Sequence, residues 1–253
     1  MKTRIIESEQ NDDYRAYLEL LTSKGIREQN RFFLSGKKII AEFLNDPDLQ
    51  KKFRVSAQIL QKGMQALSVT NAPITEMPAP LFKNLDVIGT HSPLLLLETP
   101  AIKTWSVKNE FADFVLVLPL GDPANLGATL RSAEAFGVQD VLLTQETAHP
   151  YLPKSLKASS GSALRLNLQR GPSLEEFLRL ETELLSPLWT LDLEGVSLEQ
   201  MRWPKKMHLV VGEERGLPFK SAHRLTIPTQ GVESLSAPIA TSVALYERSR
   251  VSK

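Results

Sequence analysis

The 253-residue chain contains no cysteine. That absence excludes disulfides, thiolate metal centres and cysteine nucleophiles. It also lacks a charge bias: 30 Lys and Arg stand against 29 Asp and Glu, a net charge of +1. Such a balance neither demands nor excludes nucleic acid, because a local patch can bind phosphate on a near-neutral protein. The apolar run at residues 94–97 is far too short to cross a bilayer. No N-terminal apolar stretch reads as a signal peptide, so a soluble cytoplasmic protein is expected. Four histidines, His91, His149, His208 and His223, show no ligand spacing; they read as structural or surface side chains, and no metal is expected. No internal repeat or low-complexity tract is present.

The length allows one or two domains with ample apolar material for a core. The first hundred residues read as a small α/β unit. Tyr14, Leu18 and Leu21 have helical spacing over residues 12–23. Phe32-Phe-Leu-Ser-Gly36 reads as a strand, residues 37–44 as the helix after it, and residues 55–60 and 94–97 as further strands. The polar stretch 101–110 is the expected linker. From Phe111 the pattern changes. Phe114-Val-Leu-Val-Leu is a continuous apolar run, as expected of a strand buried on both faces of a parallel sheet. Short apolar runs begin at Val141, Leu188, Leu209 and Leu225, and helices fit residues 126–136, 174–185 and 238–250. Strands alternating with helices predict an α/β domain with a mainly parallel sheet over residues 111–253.

Three glycine-containing turns follow strands of this second region, where open α/β sheets place ligands. The first is Gly121-Asp-Pro-Ala-Asn-Leu-Gly-Ala-Thr-Leu-Arg131. Asn125 suits a helix cap or a substrate hydroxyl, and Arg131 lies off the apolar helix face; an ordinary turn with an exposed arginine is the alternative. The second is Val210-Val-Gly-Glu-Glu-Arg-Gly-Leu-Pro218. There Glu214 can orient a polar group or pair with Arg131, or belong to a solvated charged turn. The third runs from Ile227-Pro-Thr-Gln-Gly through Glu233-Ser-Leu-Ser-Ala-Pro238 into the last helix, which Pro238 suits as an opening residue. Ser234 and Ser236 can bond locally or face a ligand. Lys157-Ala-Ser-Ser-Gly-Ser-Ala163 reads as a flexible loop, with a phosphate cradle of backbone N–H groups as the alternative.

Asp122-Pro-Ala-Asn-Leu-Gly-Ala-Thr-Leu-Arg-Ser-Ala-Glu-Ala-Phe-Gly137 closely resembles the first motif of the SpoU/TrmH family of RNA 2′-O-ribose methyltransferases, in the SPOUT superfamily. Val211-Gly-Glu-Glu-Arg-Gly-Leu217 resembles the second motif. Residues 227–236 with Leu245-Tyr-Glu247 resemble the third, and Lys157-Ala-Ser-Ser-Gly-Ser162 resembles a fourth, weaker signature. Order and spacing agree over most of the chain after Phe111. Residues 30–44 are similar to the family's ribosomal-protein-like substrate-binding domain, here expected over residues 1–100.

The resemblance implies a mainly parallel α/β domain with a deep trefoil knot, a rare exception to the unknotted rule. It implies S-adenosyl-L-methionine (AdoMet) bound in the knot by Val211, Gly212, Ile227, Leu235 and Ser236, largely through backbone groups. It implies a homodimer in which a site can borrow residues from the partner chain. Arg131, Asn125, Glu214 and Ser234 fall at catalytic positions of the family. A ribose 2′-oxygen of ribosomal or transfer RNA would attack the sulfonium methyl group without a metal. A guanidinium is a poor base, so Arg131 is expected to orient ribose and phosphate and to stabilise developing oxyanion charge. RNA binding is expected of the N-terminal cluster Lys24, Arg27, Arg31, Lys37 and Lys38, with Lys157 from the fourth signature. Phe32 and Phe33 lie within that cluster, and strand spacing assigns at least one of them to the core. The family's third motif reads Ser-Leu-Asn-Val-Ser, where this chain has Ser234-Leu-Ser-Ala-Pro238. Two alternatives stay open: a relative that binds RNA without methylating it, and a nucleotide-binding oxidoreductase, although Gly121–Gly127 does not fit G-x-G-x-x-G.

Overall fold

The computed structural model describes residues 3–68, 71–99, 101–107, 113–212 and 221–251. In chain order the elements are β1 (Thr3–Ile5), α1 (Asp12–Glu19), α2 (Ser23–Gln29), β2 (Arg31–Leu34), α3 (Lys37–Leu44), α4 (Pro47–Lys52) and β3 (Arg54–Gln61). Next come β4 (Ile74–Met77), α5 (Ala79–Leu85), β5 (Leu94–Glu98), β6 (Lys103–Thr104), β7 (Phe114–Leu118), α6 (Pro123–Ala135) and β8 (Asp140–Leu143). The remainder is α7 (Pro153–Ser159), α8 (Ser162–Arg165), β9 (Asn167–Arg170), α9 (Leu174–Arg179), β10 (Leu188–Ser197), β11 (Met207–Val210), β12 (Arg224–Thr226) and α10 (Ala237–Val251). None of the described helices is long and apolar enough to cross a membrane. Two compact units emerge: Met1–Ala101 with His149–Arg165, and Ile102–Ala148 with Leu166–Lys253.

In the first unit β1-β4-β3-β5-β2 form a mixed sheet. Alternate residues of a strand face opposite sides, and β2 shows the consequence. Phe33 joins Tyr14, Tyr17, Ile59 and Leu96 in the core, whereas Phe32 stacks on Tyr151 at 4.7 Å and meets Phe53 edge-on. Both phenylalanines are buried, so neither is a platform for stacking a base. The single helix expected over residues 12–23 is two. Thr22 caps α2 by accepting from the Gly25 N–H at 3.0 Å. A Cβ on Gly25 would lie 2.1 Å from the Glu19 carbonyl oxygen, so glycine permits this tight corner.

The stretch around Lys157 is not a flexible loop. It forms α7 and α8, with Ser155, Ser159 and Ser162 buried. The Ser155 and Ser159 hydroxyls donate to the carbonyls of His149 and Leu156. Ser160 and Gly161 both have positive φ, and their N–H groups close the end of α7 on Lys157 and Leu156. Those N–H groups are therefore committed to the cap rather than aimed outward as an anion cradle.

In the second unit the seven described strands run β12-β10-β11-β7-β8-β9-β6, every pair parallel. All five residues of β7 are buried between β11 and β8, as the apolar run at Phe114 predicts. Gly137 takes φ +77° just past α6, the left-handed position that glycine accepts without penalty. The helix expected over 174–185 ends at Arg179; Ser173 and Glu176 form its capping box, but Leu185 is exposed and buries nothing beyond it. Within the stretch expected as a linker, Lys103 and Thr104 pair with β9, and Trp105 packs edge-on against Phe177 at 5.4 Å. The strands β1, β4, β6 and β9 were not anticipated; β9 carries one apolar residue in four.

Strand β10 is irregular where it matters. Leu191 and Val196 both register with Leu225, so residues 192–195 form an excursion from the strand. Gly195 makes this possible: its φ is +151°, and a Cβ there would lie 2.3 Å from the Arg224 carbonyl oxygen.

Candidate functional site

Helix α6 begins at Pro123, earlier than its apolar pattern suggests. Asp122 is the cap, its carboxylate accepting from the N–H groups of Ala124 and Asn125 at 2.9 and 2.8 Å. Asn125 therefore does not cap; its place in the first turn puts it at the carboxyl edge of the sheet. Helix α10 starts with Ala237 directly behind Ser236, whose carbonyl accepts the Ala240 N–H at 2.9 Å. The two helices meet where the Ser132 and Ser242 hydroxyls lie 2.7 Å apart.

Between these helix starts and the ends of β10, β11 and β12 lies a cavity of about 450 Å³, within the usual range for a small-molecule site. Asn125, Val211, Gly212, Ile227, Ser234, Leu235 and Ser236 all line it. Residues predicted from three separate turns thus share one enclosure. Val211 is buried, held by its N–H to the Val117 carbonyl at 3.1 Å. A Cβ on Gly212 would lie 3.2 Å from the Leu191 carbonyl oxygen, so glycine lets the ends of β10 and β11 close up beside the cavity. Ser234 and Ser236 are exposed at its rim. The uncharged donors and acceptors offered are hydroxyls, one amide and loop backbone, which suit the hydroxyls and ring nitrogens of a nucleoside.

Two acids also line the cavity, Asp192 and Glu233, with no Lys, Arg or His among the described lining residues. Asp192 went unnoticed in the sequence. The usable signal was an acid directly after an apolar strand, at the edge where such sheets hold ligands.

Arg131 is exposed on α6 and does not line the cavity. It lies six residues past Asn125, about 9 Å further along the helix axis and on a different face. Glu214 lies outside the described residues. Of the expected RNA-binding residues, Lys37 and Lys38 are exposed at the start of α3, and Lys157 is exposed on α7. Gly161, at the end of α7, approaches Ile39 of α3: a Cβ there would be 3.4 Å from the Ile39 side chain. Arg31 differs from these lysines. It donates to Gln29 at 2.8 Å and pairs in the sheet with Glu98. The hydrogen bond from Arg54, with the charges of Arg54 and Arg31, holds the Glu98 carboxyl below its ordinary range.

These features define an open α/β protein with a small-molecule site at the carboxyl edge of a parallel sheet, closed by two helix starts. Residues 113–246 match the SpoU rRNA Methylase family, and the chain belongs to that family. "Ribosomal RNA small subunit methyltransferase G 2" of Syntrophobacter fumaroxidans is 40% identical over 98% of this chain. The chain spans about half the length of that relative, 49%. "23S rRNA (guanosine(2553)-2'-O)-methyltransferase RlmP" of Bacillus subtilis is 24% identical over 95% of this chain and 97% of its own length. The AdoMet-bound rRNA methyltransferase structure from Sinorhizobium meliloti covers 98% of both chains with a TM-score of 0.79 at 21% identity, a likeness of fold.

Proposed function

We propose that this chain transfers a methyl group from AdoMet to a ribose 2′-hydroxyl of ribosomal or transfer RNA. The observation that carries this reading is the single cavity shared by Asn125, Gly212, Ile227, Ser234, Leu235 and Ser236. Its volume, its uncharged donors and its acidic lining suit a nucleoside bearing a positive charge. The same acids repel a pyrophosphate, which weighs against a dinucleotide oxidoreductase. Bound AdoMet would supply an electrophilic methyl group on a sulfonium; no metal ligand is required, because the leaving group departs neutral. Val211, Gly212, Ile227 and Leu235 would hold the adenosine moiety through backbone groups. Asn125, Ser234 and Ser236, at the start of α6 and ahead of α10, would orient the ribose. Glu214, the remaining polar position of the family motifs, lies outside the described residues.

The active species in this proposal is a homodimer in the cytoplasm. Ile239, Val243 and Tyr246 recur at helical spacing on α10, and Ile239 and Tyr246 are about half exposed, 55% and 50%. Phe136 of α6 meets Tyr246 edge-on at 5.9 Å. This apolar face would receive the second copy, and Arg131 would act on the partner's substrate rather than beside its own cavity. The first unit would hold the RNA, with Lys37, Lys38 and Lys157 on phosphates and Arg31 contributing less because of Glu98.

The test is incubation with methyl-labelled AdoMet and total cellular RNA, followed by nuclease digestion. Label in a nuclease-resistant dinucleotide is expected, since a 2′-O-methyl group blocks cleavage at that position. Label confined to bases would sink the ribose assignment. The Ser236-Ala-Pro departure supports one second reading, an RNA-binding relative without transferase activity; RNA retention with no incorporated label would favour it.

A further inference from the structure

We propose that Asp192 makes this cavity charge-selective, holding the sulfonium cofactor more tightly than the neutral thioether left after transfer. The inference rests on reading the cavity as the AdoMet site. Methyl transfer forms a carbon–oxygen bond at the ribose and breaks the carbon–sulfur bond. The electron pair stays on sulfur and the hydroxyl proton passes to solvent water, so the cofactor loses one positive charge. A fixed carboxylate lining the same cavity attracts the charged reactant more than the neutral product.

The structure gives Asp192 the means. Its side chain is 22% exposed, so solvent screens it less than a surface acid. The Leu193 N–H donates to its Oδ1 at 2.6 Å, which fixes the carboxylate at the end of the β10 strand proper. Among the described residues Asp192 shares the Arg224 guanidinium with Glu194, which lies 3.0 Å from it against 3.8 Å for Asp192. The excursion of residues 192–195, permitted by Gly195, puts both acids within reach of the one guanidinium. Glu194 thereby competes with Asp192 for the one guanidinium, so the Asp192 charge is only partly offset. Arg224 itself does not line the cavity, whereas Asp192 does, with Glu233 as a second and more exposed acid.

The experiment is calorimetric titration of the full chain with three ligands: AdoMet, S-adenosylhomocysteine, and sinefungin, which carries a protonated amine in place of the sulfonium. Asp192→Asn keeps an oxygen for the Leu193 N–H. It is expected to weaken AdoMet and sinefungin about ten-fold, equivalent to about 1.4 kcal/mol, and to leave S-adenosylhomocysteine nearly unchanged. Glu194→Gln is expected to shift binding the same way by releasing Arg224 toward Asp192. Arg224→Gln is expected to tighten AdoMet relative to S-adenosylhomocysteine, a sign that damage to the fold would not produce. Equal losses for all three ligands, or no change with Asp192→Asn, overturn the charge role while leaving the cofactor reading intact. Wild-type protein that binds none of the three overturns the cofactor reading, and this inference with it.

Discussion

The hydroxyls of Ser132 and Ser242 lie 2.7 Å apart and tie α6 to α10. Each hydroxyl also has a carbonyl of its own helix as acceptor, Pro238 at 2.7 Å for Ser242 and Ala128 at 3.3 Å for Ser132, and either can donate across the pair. The bond matters because α6 carries Asn125 and α10 follows Ser236 directly. Removing one hydroxyl from a half-buried pair costs about 1 kcal/mol. Ser132→Ala and Ser242→Ala are each expected to lower unfolding free energy by about that much in urea titrations. The double variant should lose less than the sum, because the second change removes a partner already gone. Strict additivity would mean that the two hydroxyls do not support one another.

Gly212 tests how closely the cavity is built. With the Leu191 carbonyl oxygen 3.2 Å from a new Cβ, Gly212→Ala requires the ends of β10 and β11 to give by a few tenths of an ångström. A small-to-large change in a packed region costs about 1–3 kcal/mol. Thermal unfolding should register that loss, and AdoMet affinity should fall by an order of magnitude or more, since both strand ends line the site. Unchanged affinity in a folded variant would remove Gly212 from the binding wall.

Ser236 stands where the family motif has Asn. An amide reaches further and adds donors that a hydroxyl lacks. If Ser236 orients the ribose, Ser236→Asn should raise kcat toward that of a complete motif, by up to about ten-fold for one further hydrogen bond. KM for AdoMet should change little if, as proposed, backbone groups hold the adenosine. A fall in kcat would show that the chain has adapted its rim to Ser236 and Pro238 together.

Lys37 and Lys38 open α3 with exposed side chains, and Lys38 has Glu42 at 3.8 Å. If both contact RNA phosphates, the doubly substituted Lys37→Ala/Lys38→Ala chain should bind RNA more weakly and with a flatter salt dependence. Each lost phosphate contact removes about 0.7 from the slope for single strands. A slope that stays the same assigns both lysines to a solvated face.

Legibility in the sequence followed locality. The apolar run of β7, the existence of α6 and α10 and the three turns around the cavity were readable, because propensity and burial agree there, whereas the start of α6 at Pro123 lies ahead of its apolar pattern and is set by the Asp122 cap. What stayed hidden depends on contacts distant in sequence. Residues 157–163 have the composition of a loop, yet Tyr151 packs on Phe32 and Phe53 and carries the following helices into a buried setting. The break after α1 rests on the approach of Gly25 to Glu19, and the cavity position of Asp192 on the register of β10 against β12. Arg131 was placed with the site by its motif, but the helix turn carries it away from Asn125, and Arg131 does not line the cavity.

That separation makes Arg131 the most demanding prediction. Arg131→Ala is expected to reduce methyl transfer by about 10²–10³, the usual cost of losing one charge-stabilising donor. AdoMet affinity should hold, because Arg131 does not line the cavity. A role in trans makes a sharper claim. Mixing Arg131→Ala chains with Gly212→Ala chains gives heterodimers in which one site has an intact cavity and receives the intact arginine of the other chain. Assayed at AdoMet far below the KM of the Gly212→Ala chain, such mixtures should recover activity well above either parent, approaching half the wild-type rate per mixed dimer. If the arginine acts within its own chain, every site in the mixture lacks one component and no recovery occurs. Sedimentation of the wild-type chain supplies the companion measurement: a monomer at assay concentrations would defeat the trans assignment outright.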